Sequence, residues 1–92
     1  MLEKTIEAKC VKYAKSLGLY QNKIGLCGWP DRVFLRKDGA HLYIEFKQKG
    51  KKLRPLQEAI CNELKTYNCK VYTVDNFEDG KKILDEFYTN TK

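Results

Sequence analysis

Apolar residues recur at helical spacing in three segments of the chain, and short runs rich in β-branched and aromatic residues lie between them. Residues 3–17 carry such an apolar row and are followed by Gly18, which predicts a first helix ending there. A second helix is expected from Pro55, which suits a first helical turn, to Asn68, and a third follows the capping residue Asn76. The apolar rows expected to face the core are Ile6, Cys10, Tyr13, Ala14 and Leu17 in the first helix, Leu56, Ile60, Leu64 and Tyr67 in the second, and Leu84 and Phe87 in the third.

Strand-type segments occupy the positions between these helices. The runs VFLR and HLYIEFK, separated by KDGA, predict a β-hairpin, and KVYTV predicts a buried strand. Residues 19–27 predict a short strand that includes Tyr20 and Ile24. The expected order is therefore α-β-β-β-α-β-α, a sheet covered by helices in the α/β class. With 92 residues, no repeats and no internal linker, we expect a single domain over residues 1–92 whose tail TNTK frays.

The charge and the cysteine content narrow the class of protein. Lys and Arg number 18 against 12 Asp and Glu, so the net charge is +6, which favours a polyanion such as nucleic acid as partner. No apolar run approaches the roughly 18 residues that cross a bilayer, and the charged N-terminus is unlike a secretory signal, so we expect a cytoplasmic protein. The four cysteines lack Cys-x-x-Cys spacing, which argues against zinc and favours reduced thiols.

The turn of the predicted hairpin decides which way Asp31 points. If residues 38–39 form a two-residue turn, Asp31 falls opposite Phe46 and faces away from Glu45. If residues 37–39 form a three-residue loop that ends in a left-handed glycine, Asp31 falls opposite Glu45. In the second register two carboxylates meet about 5 Å apart at Cβ, which is repulsive unless a cation lies between them.

We expect the three-residue loop, and with it a divalent metal between the two carboxylates. Asp31, Glu45 and the main-chain carbonyl of Phe46 would give the hard oxygen ligands that Mg²⁺ prefers, with waters completing the shell. A metal bound to a phosphodiester polarises the phosphoryl oxygen and lowers the pKa of its own water. Lys47 follows Glu45 by two residues on the same strand face, where it would stabilise the developing charge or orient the nucleophile.

Two further side chains could join this site, and their positions leave two interpretations open for each. Glu7 borders the apolar row of the first helix, where it could hold a metal or its water, or be a solvated acid near a helix N-terminus. Glu3 competes with it one turn earlier. Gln57, in the first turn of the second helix, could hold a phosphate or a metal-bound water, or be an ordinary surface glutamine.

A basic loop follows the hairpin and precedes the second helix. Its cations are Lys49, Lys51, Lys52 and Arg54. Such a loop is either a solvated face or, beside a phosphodiester site, a clamp on the DNA backbone that reads no sequence.

The motifs EKTIE, GWPD, YIEFK and LRPLQ, in this order, resemble those of the VRR-Nuc domain, a virus-type replication and repair nuclease module of the PD-(D/E)xK superfamily. The family pattern is a helical Glu, then Gly-x-Pro-Asp, Glu-x-Lys on the next strand, and Pro-x-x-Gln or Pro-x-Gln opening a helix. The resemblance covers residues 3 to about 88. It implies a small restriction-endonuclease-like core and a deoxyribonuclease that depends on Mg²⁺ or Mn²⁺. The roles it implies are metal ligands for Asp31 and Glu45, the catalytic lysine for Lys47, a carboxylate linked to metal or water for Glu7, and the family glutamine for Gln57.

The resemblance also implies a substrate and an assembly. Small stand-alone members are similar to viral or phage enzymes that cut branched DNA, such as Holliday junctions or flaps, as homodimers with one site for each of two strands. One departure is the segment NKIGLCGWPD, which lacks the Ser/Gly/Arg-rich loop that often precedes the motif and contacts DNA. Two other functions stay open: an inactive nucleic-acid-binding module on a nuclease fold, and a protein-binding or inhibitor domain with incidental charges.

Overall fold

The structure, a computed structural model, describes residues 2–90 and confirms the predicted order of helices and strands. Over these residues the elements are α1 (Glu3–Ser16), β1 (Tyr20–Lys23), β2 (Arg32–Leu35), β3 (His41–Phe46), α2 (Pro55–Thr66), β4 (Lys70–Val74) and α3 (Phe77–Thr89). The expected fraying of residues 89–92 lies partly outside the described residues, and Thr89 still belongs to α3.

The strands form one four-stranded mixed sheet in the order β1-β2-β3-β4. β1 pairs with β2, and β2 with β3, in antiparallel fashion, whereas β3 and β4 run parallel. Parallel neighbours need a crossover connection, and here it consists of the basic loop followed by α2. β3 therefore lies between two partner strands, and its side chains must face one of the two covered faces of the sheet.

Different helices cover the two faces of the sheet. The main core lies on the face covered by α1 and α3 and includes Ile6, Cys10, Ala14, Phe34, Leu42, Ile44, Phe46, Val74, Leu84 and Phe87. A smaller cluster lies under α2 and includes Cys61, Leu64 and Val71, with Trp29, Tyr43 and Ile60 packed against it. Since residues alternate between faces along a strand, Tyr43, Glu45 and Lys47 belong to the α2 face.

The buried side of α2 differs from the predicted one. Leu56 and Tyr67 were expected to face the core, but Leu56 is 53% exposed and Tyr67 is 71% exposed. Leu64 is buried as predicted, whereas the other buried residues are Gln57 and Cys61, each one residue after the predicted Leu56 and Ile60. The physical reason is a polar contact between α2 and the sheet, because the Gln57 side chain hydrogen-bonds the Glu45 carboxylate on β3. Hydrophobic periodicity does not reveal such a contact.

The remaining local predictions are largely confirmed. Asn76 caps α3, with its Oδ1 accepting a hydrogen bond from the backbone N–H of Asp79 over 2.8 Å. β1 is shorter than expected, since it ends at Lys23 and leaves Ile24 beyond it. Ile24 still contributes its backbone N–H, which donates to the carbonyl of Asp31 over 2.8 Å.

Within residues 2–90, no helix has the length and apolar character needed to cross a membrane.

Candidate active site

The hairpin turn adopts the three-residue form. Arg36 N–H donates to the carbonyl of Ala40 over 2.9 Å, and Gly39 N–H donates back to the carbonyl of Arg36 over 3.0 Å. Gly39 has a φ of +90°, the left-handed conformation that the third position of this loop requires. The strand pairs run from Arg32 opposite Ile44 to Leu35 opposite His41. The predicted register is therefore confirmed.

This register brings Asp31 and Glu45 to the same end of the sheet. Asp31 directly precedes β2, so continuing the pairing of Arg32 with Ile44 by one residue sets Asp31 beside Glu45. The Asp31 side chain folds back along this edge, where its Oδ2 accepts a hydrogen bond from the backbone N–H of Phe46 over 2.8 Å. Burial raises the pKa of Asp31 above its ordinary value, although that hydrogen bond opposes the change.

Glu45 is the most heavily buried carboxylate of this arrangement, with 2% of its surface exposed. Its Oε2 accepts a hydrogen bond from Gln57 Nε2 over 2.9 Å and lies 3.6 Å from Lys47 Nζ. Its Oε1 is also buried and has no hydrogen-bond partner among the described residues. Burial, and then the neighbouring Asp31 carboxylate, raise the pKa of Glu45 from 4.5 to about 7, although Lys47 opposes the shift.

The chemistry of this donor set fits a hard divalent cation. A buried carboxylate oxygen without a partner is costly, and Glu45 Oε1 is such an atom among the described residues. The Asp31 carboxylate is near enough to help raise the pKa of Glu45. Within residues 2–90, no three Asp, Glu, His or Cys side chains come together as a metal-binding group. Mg²⁺ is commonly held by one or two carboxylates and keeps several waters, so Asp31 and Glu45 suffice for it. The Phe46 carbonyl as a further ligand stays a prediction.

Lys47 is held beside Glu45 by the strand that carries both residues. Its backbone N–H donates to the carbonyl of Val74 over 2.8 Å, which continues the β3–β4 pairing past the end of β3. The side chain is mostly buried, and its ammonium group lies 3.6 Å from Glu45 Oε2. A nearly buried ammonium group with one carboxylate oxygen at 3.6 Å can also bind a second anion next to Glu45.

Gln57 is a buried member of this site, which excludes the surface interpretation. Its side chain is fixed at both ends: Nε2 donates to Glu45, and Oε1 accepts from the backbone N–H of Arg54 over 2.9 Å. The second bond satisfies an amide at the start of α2 that would otherwise lack a helical partner. Gln57 therefore ties the first turn of α2 to the orientation of the Glu45 carboxylate.

Glu7 lies on α1 and is engaged by a residue that the sequence did not single out. Arg32 Nε donates to Glu7 Oε2 over 2.6 Å, and Lys23 Nζ lies 3.5 Å from the same oxygen. Arg32 also contacts the side-chain oxygen of Gln21. The confirmed register could have identified Arg32, because its pairing with Ile44 directs it to the α1 face.

The helical carboxylates still act on the site through their charge. Glu7 and Glu3 both contribute to the raised pKa of Asp31, and Glu3 also contributes to that of Glu45, in each case after burial. Neither makes a hydrogen bond to Asp31 or Glu45 among the contacts of the described residues. The role of Glu7 toward a metal or its water, and the choice between Glu7 and Glu3, therefore stay predictions.

The basic loop leaves Lys47 and leads to α2, so it borders the site on one side. All four of its cations are exposed to solvent: Lys49, Lys51, Lys52 and Arg54. The first of these cations, Lys49, follows the buried Lys47 by two residues. The last, Arg54, donates its backbone N–H to Gln57, so both ends of the loop lie next to site residues. Their contact with DNA stays a prediction.

Comparison with known proteins shows what the fold of this chain is similar to. No protein-family model matches this chain, and no curated protein matches it. A solved structure described as a VRR_NUC domain is similar, with a TM-score of 0.83 and 21% sequence identity over 94% of this chain and 97% of that chain. At this identity the likeness establishes the fold, so the chain has the VRR-Nuc fold that its motifs predicted.

Proposed function

We propose that this protein is a metal-dependent endodeoxyribonuclease that hydrolyses phosphodiester bonds. The observation that carries the proposal is the buried carboxylate of Glu45, which lies beside Asp31. Its Oε1 has no partner among the described residues, and its Oε2 lies 3.6 Å from the Lys47 ammonium. Two acids and a lysine at the end of one sheet combine metal ligation with a cation for the phosphate. The likeness to a VRR_NUC domain structure supports the same function.

The chain's own residues would divide the chemistry among them. When bound by Asp31 and Glu45, Mg²⁺ or Mn²⁺ would supply Lewis-acid polarisation of the phosphate and a more acidic water. Lys47 would stabilise the negative charge that develops on the phosphoryl group, or orient the attacking water. Gln57 holds one oxygen of Glu45, and the other oxygen, Oε1, would be the one that binds the metal.

The preferred DNA is proposed to be branched, and the acting species a homodimer. The four exposed cations of the basic loop would hold phosphates on one side of the active site, without reading sequence. The described residues form one such site, whereas resolving a four-way junction requires two cuts in two strands. A symmetric pair of chains would supply the second site. Flaps are the other branched substrate consistent with this proposal.

A cleavage panel tests the proposed function. Linear duplex, flapped and four-way DNA are incubated with the protein in Mg²⁺, in Mn²⁺ and with a chelator, and products are resolved on denaturing gels. Glu45→Gln and Lys47→Ala are compared with Glu86→Gln and Lys82→Ala, which alter exposed residues of α3. We expect cleavage only with a divalent metal, its loss in the first two variants, and its retention in the two controls.

The outcomes separate the proposed nuclease from its alternatives. Equal cutting by wild type, Glu45→Gln and Lys47→Ala would refute the catalytic assignment and point to a contaminating nuclease. Salt-sensitive DNA binding without cleavage would identify an inactive nucleic-acid-binding module. Absence of both would leave the protein-binding alternative. A preference for flaps or junctions over linear duplex would support the branched-DNA part of the proposal, and light scattering of the protein–DNA complex would test the dimer.

A further inference from the structure

A small cleft lies next to the proposed active site, between the loop before Asp31 and the first turn of α2. It has a volume of about 220 Å³ and is lined by Cys27, Gly28, Arg54, Pro55, Leu56 and Gln57. Gln57 belongs to both places, since its Nε2 is bonded to Glu45. A group held in the cleft would therefore lie one side chain away from the carboxylate that the proposed reaction uses.

The shape of the cleft depends on a close approach between a glycine and a leucine. Gly28 has a φ of +81°, and a Cβ on it would lie 2.7 Å from Leu56 Cγ and 2.7 Å from Ile60 Cδ1. Only a residue without a side chain allows the loop to lie this close to α2. Gly28 therefore adds no side chain to the cleft, and the exposed Leu56 is one of its lining residues.

The surroundings of the cleft point to the chemistry of its ligand. Leu56 is 53% exposed and lines the cleft together with the cation Arg54, and its exposed apolar surface would gain free energy from burial against an apolar group. The cations of the basic loop, Lys49, Lys51, Lys52 and Arg54, lie two to seven residues before it in the chain and favour phosphates. A ligand that carries phosphates beside a flat, mainly apolar group matches both features. The volume lies below the roughly 300–1,000 Å³ of pockets for drug-sized ligands, so it suits a single ring system.

We propose that this cleft receives one unstacked nucleobase of the DNA strand whose backbone passes the active site. The inference rests on the proposed function and adds a reason for substrate choice. A base inside a linear duplex must first be unstacked and unpaired, whereas a base at a fork, flap or junction is already partly free. The cleft therefore favours branched DNA through the base at the branch point, and the basic loop holds the neighbouring phosphates.

A positional binding experiment tests the inference without cleavage. Forked DNAs, each with one abasic nucleotide moved step by step through the branch, are titrated by fluorescence anisotropy in a chelator-containing buffer. Wild-type protein should bind about five- to tenfold more weakly when one particular nucleotide lacks its base. Leu56→Ala should weaken binding of the intact fork by a similar factor and become insensitive to the abasic nucleotide there. Leu26→Ala is the matched control, since this leucine is 59% exposed and does not line the cleft.

Each alternative outcome overturns the inference in a recognisable way. Equal binding of all abasic forks would mean that only the backbone is held. Additive losses from Leu56→Ala and the abasic nucleotide would mean that the two do not meet. A shift in self-association of Leu56→Ala, without a positional effect, would assign the cleft to contact between copies. The binding titrations contain a chelator and no divalent metal, so they measure binding alone. Their results would stand even if the proposed cleavage were not observed. Cleavage combined with a flat abasic scan would refute this inference alone.

Discussion

Gln57 Nε2 donates a hydrogen bond to Glu45 Oε2 over 2.9 Å and thereby joins the first turn of α2 to the central strand β3. Both residues are buried, so the bond forms where water cannot replace it. The opposite end of the same amide accepts the backbone N–H of Arg54, which fixes which end faces the carboxylate. One oxygen of Glu45 is thus held by the protein, while Oε1 has no partner among the described residues.

Replacing Gln57 should destabilise the protein, and the size of the loss should depend on the substituted residue. Gln57→Ala removes the amide that donates to Glu45 Oε2 and should lower the free energy of unfolding by about 1–3 kcal/mol. Gln57→Glu should cost more at pH 8 than at pH 5, because a second carboxylate would then face Glu45. Urea unfolding at both pH values measures the two effects, with Gln48→Ala, an exposed glutamine, as control. Equal stabilities of Gln57→Ala and Gln48→Ala would show that the bond contributes nothing.

The raised pKa of Glu45 predicts that the metal-free protein loses stability as the pH rises. Between about 4.5 and 7 the folded state keeps a proton that the unfolded state has released, so the unfolded state binds fewer protons and stability falls with pH. The rise from 4.5 to about 7 corresponds to a loss on the order of 3 kcal/mol across that window. Asp31 changes stability in the same direction, since its pKa is also raised.

Thermal or urea unfolding in the presence of a chelator, from pH 4.5 to pH 8, measures this dependence. Glu45→Gln should flatten the profile and unfold at higher denaturant than wild type at pH 8, because it carries no charge to bury. Mg²⁺ should stabilise wild type more at pH 8 than at pH 5, since the proton competes with the metal for Glu45. Superimposable profiles for wild type and Glu45→Gln would contradict the buried titration.

The hairpin shows what the sequence could predict, and α2 shows where it could not. The residue types of the loop, with a glycine at its third position, were sufficient to choose the register that sets Asp31 beside Glu45. The burial of Gln57 was not accessible, because hydrophobic periodicity assigns a polar residue to the outside unless its partner is known. That partner lies on another element 12 residues earlier.

Arg32 was missed for a similar reason. Its contact with Glu7 joins residues 25 positions apart, and Arg32 alone reads as a surface charge. Local patterns fix turns, caps and the alternation of strands, whereas polar pairs between elements depend on how those elements are oriented. The exposure of Leu56 is a further example, since it follows from the orientation of α2 that Gln57 imposes.

The packing of α3 on α1 gives a prediction that does not depend on function. A Cβ added to Gly80 would lie 2.5 Å from Cys10 Sγ and 3.3 Å from Val74 Cγ1, inside the main core. Gly80→Ala should therefore destabilise the protein by about 1–3 kcal/mol through overpacking, despite the better helix propensity of alanine. Cys10→Ala removes the sulfur, so the double variant Cys10→Ala/Gly80→Ala should recover at least about 1 kcal/mol relative to Gly80→Ala.

A double-mutant cycle by urea unfolding measures this coupling. Additive losses from the two substitutions would show that the sulfur and the added methyl group do not compete for the same space. Since Cys10 is fully buried, the result also reports directly on the α1–α3 contact.

The basic loop should control the salt dependence of DNA binding. Replacing Lys51, Lys52 and Arg54 together by alanine should make the negative slope of log K against log salt shallower by about 2–3. Each phosphate contact contributes about 0.7–0.9 to the magnitude of this slope. Replacing three exposed lysines of α1, Lys4, Lys12 and Lys15, changes the net charge equally on another surface. This control should leave the slope nearly unchanged. Equal slopes for the two triple variants would mean that overall charge, and not the loop, determines binding.

The two helical carboxylates, Glu7 and Glu3, should differ in their contribution to stability. The Glu7–Arg32 ion pair is only partly exposed, with side-chain exposures of 13% and 19%, so it should contribute more than a surface pair. Glu7→Gln and Arg32→Gln should each lower the free energy of unfolding, with a coupling of about 1 kcal/mol or more in a double-mutant cycle. Glu3→Gln should stay within about 0.5 kcal/mol of wild type, as expected for a residue in the first turn of α1 without such a pair.

Cleavage assays on the same variants address the proposed reaction. If Glu7 acts on the metal or its water, Glu7→Gln should reduce cleavage below that of Arg32→Gln at matched stability, while Glu3→Gln retains most of it. Arg32→Gln is the informative reference, because it breaks the same ion pair but leaves the Glu7 carboxylate in place. Loss of cleavage in Glu3→Gln with full activity in Glu7→Gln would exchange the two assignments. Equal losses in Glu7→Gln and Arg32→Gln would reduce Glu7 to a structural partner of the strand.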